Sequence, residues 1–170
     1  GDKKEALKYY NMALLVRNKI DDKRGEIITI SNIAFVYSDL GNKQKTLEYI
    51  NLLIPLLRNV SDKNFEANMF KNIAQLYSNL GDNRQALNFY NRSFSLFKNI
   101  GDKENQALIL YDIGLIYHRF SEYKNALDKY ELAVTFFREI QDKRKEARTL
   151  ANIGTVYSNL GEFSESLKYL

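Results

Sequence analysis

Shifted against itself by 40 residues, the chain stays in register over its whole length. Leu40-Gly41, Leu80-Gly81, Phe120-Ser121 and Leu160-Gly161 fall into one column, and Asp22-Lys23, Asp62-Lys63, Asp102-Lys103 and Asp142-Lys143 into another. Tyr37, Tyr77, Tyr117 and Tyr157 recur without change, as do Ile33, Ile73, Ile113 and Ile153. A fixed period of this kind marks stacked copies of one supersecondary unit, each too small to bury its apolar face alone.

Within a unit the apolar residues recur at three- and four-residue spacing, as in Ile30, Ile33, Tyr37, Leu40 and again in Leu47, Ile50, Leu53, Leu57. That is helical periodicity, twice per repeat. The Asp of each Asp-Lys pair stands where an N-cap belongs, followed in the first turn by Glu26, Glu66, Gln106 or Glu146. Gly41, Gly81 and Gly161 lie just past the last apolar residue of a first helix, where a left-handed residue ends a helix at least cost. The signals predict helices over 4–20, 24–40, 44–60, 63–80, 84–100, 103–120, 124–140 and 143–160, with another beginning near 164. Two positions depart from the pattern. Ser121 replaces a terminating glycine, at about 1 kcal/mol, and Pro55 removes the hydrogen bond to the Asn51 carbonyl and is expected to kink its helix.

The expected fold is therefore all-α, built of helix-turn-helix repeats. Residues 1–20 read as the second helix of one repeat, 23–60, 63–100 and 103–140 as whole repeats, and 143–170 as a partial one. Gly1-Asp2 aligns with Gly81-Asp82 and Leu170 falls within the first turns of a helix. The expectation is a fragment of a longer array, whose end faces would be covered by further repeats or by self-association.

Composition narrows function. The 25 Lys+Arg and 21 Asp+Glu leave an excess of only +4, and both signs are interspersed, which argues against a dedicated nucleic-acid surface. Without cysteine there is no disulfide framework, thiolate metal site or thiol nucleophile, which fits a reducing, cytoplasmic setting. The strongest apolar run, around Leu52 to Leu57, is far short of the roughly 20 residues that span a bilayer, and residues 1–10 do not read as a signal peptide. His118 is the single histidine, so no multi-histidine metal site exists; without a nucleophile partner it reads as a solvated helix residue. Glycines scattered singly make no phosphate loop, and the tyrosines and phenylalanines fall mostly on the apolar stripe. Neither enzymatic activity nor a cofactor is expected, nor a small-molecule substrate.

Small residues recur between the repeated Ile and Tyr, namely Ala34, Ala74, Gly114 and Gly154, and on the second helices at Ala6, Thr46, Ala86, Ala126 and Ser166. With the bulky positions Tyr10, Ile50, Tyr90 and Tyr130, the pattern resembles the tetratricopeptide repeat, here in a long form with Gly-Asp-Lys between units. The usual unit of that family has about 34 residues, so each helix is longer by about a turn. The resemblance implies a right-handed α-solenoid superhelix and a protein-binding role. It also implies that the first helices line a concave groove.

On that implication, residues one step before each repeated Ile project into the groove: Asn32, Asn72, Asp112 and Asn152. A carboxamide donates and accepts at once, so a column of Asn can hold the backbone of an extended peptide while ignoring its side chains. Long-repeat relatives use such a ladder. The same residues could instead tie neighbouring helices together or face solvent. Asp112 departs from the column and would either select a basic group or leave its rung idle. Ile28, Phe35, Leu108, Tyr111 and Leu115 are the apolar groove candidates, with Lys71, Gln75, Arg119 and Arg148 the polar ones. The clamp that some relatives close on a C-terminal carboxylate would fall on Lys71, Gln75, Asp112, Arg148 and Asn152, where Asp112 repels the ligand.

Three functions follow, in descending order. One is a scaffold that binds an extended or helical protein segment. Another is a regulatory or sensory module of a larger signalling protein, as in family members that precede histidine-kinase or caspase-like protease domains. The last is RNA binding through the small basic excess, which requires an affinity falling steeply with salt.

Overall fold

A computed structural model of the chain describes residues 2–169, without the side chain of Tyr169. Gly1 and Leu170, which bound the expected array, lie outside the described residues. The described residues form α1 (Lys3–Lys19), α2 (Lys23–Asp39), α3 (Lys43–Leu56), α4 (Lys63–Leu80), α5 (Asn83–Ile100), α6 (Lys103–Arg119), α7 (Tyr123–Glu139), α8 (Lys143–Asn159) and α9 (Phe163–Ser166), with 3-10 turns at Leu57–Asn59 and Leu167–Tyr169. The even-numbered helices from α2 to α8 are the first helices of the repeats, and α1, α3, α5, α7 and α9 the second.

Each first helix starts on its aspartate. The carboxylates of Asp22, Asp62, Asp102 and Asp142 accept from the backbone N–H three residues on, at 2.8, 3.0, 2.9 and 3.0 Å. The lysine after the cap then pairs with the first-turn glutamate, Lys23 with Glu26 at 3.4 Å, Lys63 with Glu66 at 2.7 Å and Lys143 with Glu146 at 2.9 Å. Cap and pair together explain why Asp-Lys-x-x-Glu recurs: both satisfy or complement the unpaired amides of a helix N-terminus.

Helix ends use a left-handed residue wherever the chain reverses tightly. Gly41, Gly81, Gly101 and Gly161 do so with φ between 70° and 84°. Asp21, Ser121 and Gln141 adopt the same region at φ 55°, 58° and 59° without being glycine. Ser121 therefore takes the strained conformation and does not escape it. The connection after α3 is the exception. In place of a kinked helix over 44–60, α3 stops at Leu56, tightens into a 3-10 turn and leaves through Val60 in extended conformation at φ −78°, ψ 120°. Pro55 offers no N–H to the ladder, so the last turn shortens, and Ser61 no longer needs the left-handed region.

The chain divides into two compact units, Gly1–Phe89 and Tyr90–Leu170. In the first, α2 packs against α1, α3 and α4. Ile33, Ile50, Leu53, Ile73 and Leu76 are fully buried there. Tyr37 stacks on Tyr49 at 5.5 Å between ring centres, and the pair one repeat later, Tyr77 and Phe89, stacks at 5.6 Å. In the second unit α7 lies between α6 and α8. Its core gathers Ala107, Leu110, Ala126, Tyr130, Ala133, Phe137, Ile153 and Val156. Tyr130 crosses Gly114 so closely that an added Cβ would sit 2.6 Å from the ring. The small residue of the first-helix column is thus the seat of the bulky residue of the second-helix column.

Candidate functional site

The first helices of neighbouring repeats are joined by contacts one repeat plus one residue apart. In the first unit Asn79 donates to the Ser38 hydroxyl at 3.2 Å. In the second, Lys145 donates to Glu104 at 2.9 Å, Asn152 donates to the Tyr111 hydroxyl at 3.1 Å, and Asn159 meets His118 Nε2 at 3.0 Å. Such contacts fix the rotamers of the side chains that line the first-helix faces.

Asn32 and Asn72 are half-buried on α2 and α4, and Asp112 and Asn152 are half-buried on α6 and α8. The geometry of Asn152 is fixed by its bond to Tyr111 on α6. That bond uses the amide nitrogen, so its carbonyl oxygen is what it offers outward. The Tyr90 hydroxyl hydrogen-bonds the Asp112 carboxylate; burial, then the Asp112 charge, pushes the Tyr90 pKa up and keeps it a donor. The aspartate at this rung thus has a tyrosine hydroxyl as its partner. The equivalent places hold Tyr10 for Asn32, Ile50 for Asn72 and Tyr130 for Asn152, so a tyrosine in this column does not by itself require an aspartate.

The remaining candidates separate by accessibility. Gln75, Arg119 and Arg148 are exposed, Ile28 is partly exposed, and Phe35, Lys71, Leu108 and Leu115 are half-buried. Tyr111 is buried, and the Arg148 guanidinium lies over its ring at 4.4 Å. What the second unit presents at this place is the stacked arginine, an assembly worth about 1 kcal/mol where partly desolvated. Tyr111, Arg148 and Asn152 are therefore one cluster, which was not evident from their separate places in the sequence.

His118, expected as a solvated residue, is half-buried instead, with Tyr123 and Tyr130 edge-on at 6.0 and 6.4 Å. Burial lowers its pKa. It joins α6, α7 and α8 as a structural residue. Among the described residues no group of three or more His, Cys, Asp or Glu side chains is placed to hold a metal ion.

One feature on the first unit was missed by the sequence reasoning. The irregular turn after Pro55 opens a cleft of about 420 Å³ lined by Ile27, Pro55, Leu56, Val60 and Phe65, with Lys23, Arg24 and Asp62 at its edge. Arg24 pairs with Asp62 at 2.7 Å and lies over the Phe65 ring at 4.2 Å. The one proline of the chain was the available signal.

The tetratricopeptide repeat family model matches residues 26–99, 65–139 and 105–170. The chain is a tetratricopeptide repeat protein. Its repeats are those of a helical protein-interaction scaffold. No curated protein matches it. Among solved structures it is similar to BtubC from P. vanneervenii, with 19% identity over 100% of this chain and 71% of that one and a TM-score of 0.86. Aspartyl phosphate phosphatase F from Bacillus subtilis shares 15% identity over 95% of this chain and 43% of that one, with a TM-score of 0.83. A STAND protein with a tetratricopeptide repeat sensor from Pyrococcus horikoshii shares 19% identity over 86% of this chain but 23% of that one, with a TM-score of 0.80. At these identities the likeness is one of fold. The tetratricopeptide chain therefore spans less than half of the last two. Among its described residues no helix is long and apolar enough to cross a membrane.

Proposed function

We propose that this tetratricopeptide protein binds an extended or helical segment of another protein on the faces made by its first helices. The observation that carries the reading is the cluster of Tyr111, Arg148 and Asn152, where an exposed guanidinium and a carboxamide are held in place before any ligand arrives. Holding such side chains in advance removes part of the ordering cost of binding. Arg148 suits a carboxylate on the ligand, and the Asn152 carbonyl suits a backbone N–H. Asn32 and Asn72, half-buried on the other unit, supply the same carboxamide chemistry with both donor and acceptor.

The test is a peptide-library selection on the chain in parallel with a variant carrying Asn32→Ala, Asn72→Ala and Asn152→Ala. Enrichment of a motif by the parent and its loss in the folded variant supports the reading. Enrichment of the same motif by both rejects these carboxamides as the binding groups.

A sensory role within a larger signalling protein is the second reading. It rests on the fold shared with a STAND protein whose tetratricopeptide repeat is described as a sensor. On that reading the peptide found by selection changes amide exchange in helices it does not touch, and exchange changes confined to the binding face count against it.

A further inference from the structure

The turn between α3 and α4 closes unlike the others. Each other turn between consecutive helices is held by a bond from the N–H of the residue before the next helix to a carbonyl five residues back, as Asp22 to Arg17, Asp102 to Phe97 and Asp142 to Phe137 at 3.0, 3.0 and 2.9 Å. After Pro55 the Leu57 carbonyl instead accepts from Val60 at 3.3 Å, and the N–H groups of Ser61 and Asp62 have no acceptor among the described residues. A main-chain N–H is an obligatory donor, so this pair is open to an acceptor from outside the chain. Both residues line the cleft of about 420 Å³ that the turn opens, a volume within the range of small-molecule sites, about 300 to 1,000 Å³. Ile27 and Phe65 are buried in its wall, and Leu56 and Val60 half-buried.

The charges at the mouth decide the ligand. Arg24 is held by its stack on Phe65 at 4.2 Å and by one N–H on Asp62 Oδ2 at 2.7 Å, which leaves further guanidinium donors unused. Both Asp62 oxygens are taken, Oδ1 by the Phe65 N–H and Oδ2 by Arg24. Lys23 is occupied by Asp21 at 3.1 Å and Glu26 at 3.4 Å. The mouth therefore has donors to spare and no unpaired carboxylate to match them, beside the positive end of the α4 dipole. We propose that the cleft binds a small monocarboxylic acid with an apolar body, as a ligand rather than a substrate. The body lies against Ile27, Leu56, Val60 and Phe65, and the carboxylate accepts from Arg24 and the Ser61 and Asp62 amides. An internal segment of a protein fits less well, because it brings one backbone N–H with every carbonyl, whereas the free acid brings acceptors alone.

The test is isothermal titration calorimetry of the chain with octanoate, 3-phenylpropionate and indole-3-acetate, each beside its uncharged primary amide. The expected result is saturable binding of at least one acid, one per chain, with its amide about tenfold weaker or more. Val60→Trp, which fills the cleft, abolishes binding, and Arg24→Gln weakens it about tenfold. Arg144→Gln, in the same column of the second unit, leaves it unchanged. Arg24 is largely exposed, so its replacement tests the site even where that of Val60 disturbs the turn. Failure of all three acids to bind overturns the inference. So does an amide that binds as tightly as its acid, which marks a site for neutral groups such as a peptide segment, or an Arg24→Gln chain that binds like the parent.

Discussion

Asn152 on α8 donates its side-chain amide to the hydroxyl of Tyr111 on α6 across 3.1 Å, while Arg148, one helical turn earlier, lies over the same ring. The two first helices of the second unit are thus joined through the residues proposed to meet a ligand. Structural and binding roles are separable by measurement. Asn152→Ala and Tyr111→Phe should each cost about 1 kcal/mol in urea unfolding, and the double variant less than the sum, because both remove one hydrogen bond. Strict additivity would show that the bond is not made in solution.

Gly114→Leu should destabilise by about 3 kcal/mol, since even the first added carbon meets the ring of the fully buried Tyr130 at 2.6 Å. The denaturant midpoint reports it. An unchanged midpoint would mean that Tyr130 does not cross Gly114 as described.

Tyr130→Phe should have the opposite sign. The Tyr130 hydroxyl is buried and has no hydrogen-bond partner among the described residues. Removing an unsatisfied buried hydroxyl while keeping the ring should stabilise the fold by up to about 1 kcal/mol. A marked loss of stability would reveal a partner for that oxygen.

Ser121→Gly and Gln141→Gly should each stabilise by about 1 kcal/mol, because both residues hold φ near 58° at a helix end that favours glycine. Ser61→Gly, at the equivalent place after the 3-10 turn, should not, since Ser61 is not in the left-handed region. Thermal melts of the three variants distinguish these outcomes.

Burial holds the His118 pKa below its ordinary value. The unfolded chain takes up this proton near pH 6.5 and the native chain only at lower pH. Stability contributed by the neutral imidazole is therefore complete above about pH 6.5 and declines as pH falls from there toward the native pKa. His118→Gln should flatten the fall in urea midpoint between about pH 6.5 and 5, and no other histidine contributes in that window. Asp62, Asp142 and Glu146 are held below the ordinary carboxylate range by their hydrogen bonds, so their contribution is lost at lower pH. Equal slopes for parent and variant would remove His118 from the account.

Much of the fold was legible because each repeat states the same local rules again. Asp caps, the Lys-to-Glu first-turn pair and the small residue opposite a bulky one all follow from chain geometry within a few residues or from one packing contact. What escaped depended on relations between helices. Nothing in the local sequence of His118 shows that Asn159, one repeat plus one residue away, will meet its ring, or that Tyr123 and Tyr130 will cover it. The pairing of Asp112 with Tyr90 was hidden for the same reason. Pro55 was read correctly as a disturbance, but its outcome, a short 3-10 ending with a cleft beside it, depends on how the following turn closes. Asp21 and Gln141 reach the left-handed region because the turn requires it, although neither is a glycine.

The central claim is that the first-helix faces bind the partner segment. Amide hydrogen exchange, measured with and without a peptide obtained by selection on this chain, tests it most directly. The account predicts slowed exchange in α2, α4, α6 or α8 around the Asn32, Asn72, Asp112 and Asn152 positions, with α3 and α7 unchanged. Slowing confined to the second helices, or to the cleft beside Pro55, would contradict it.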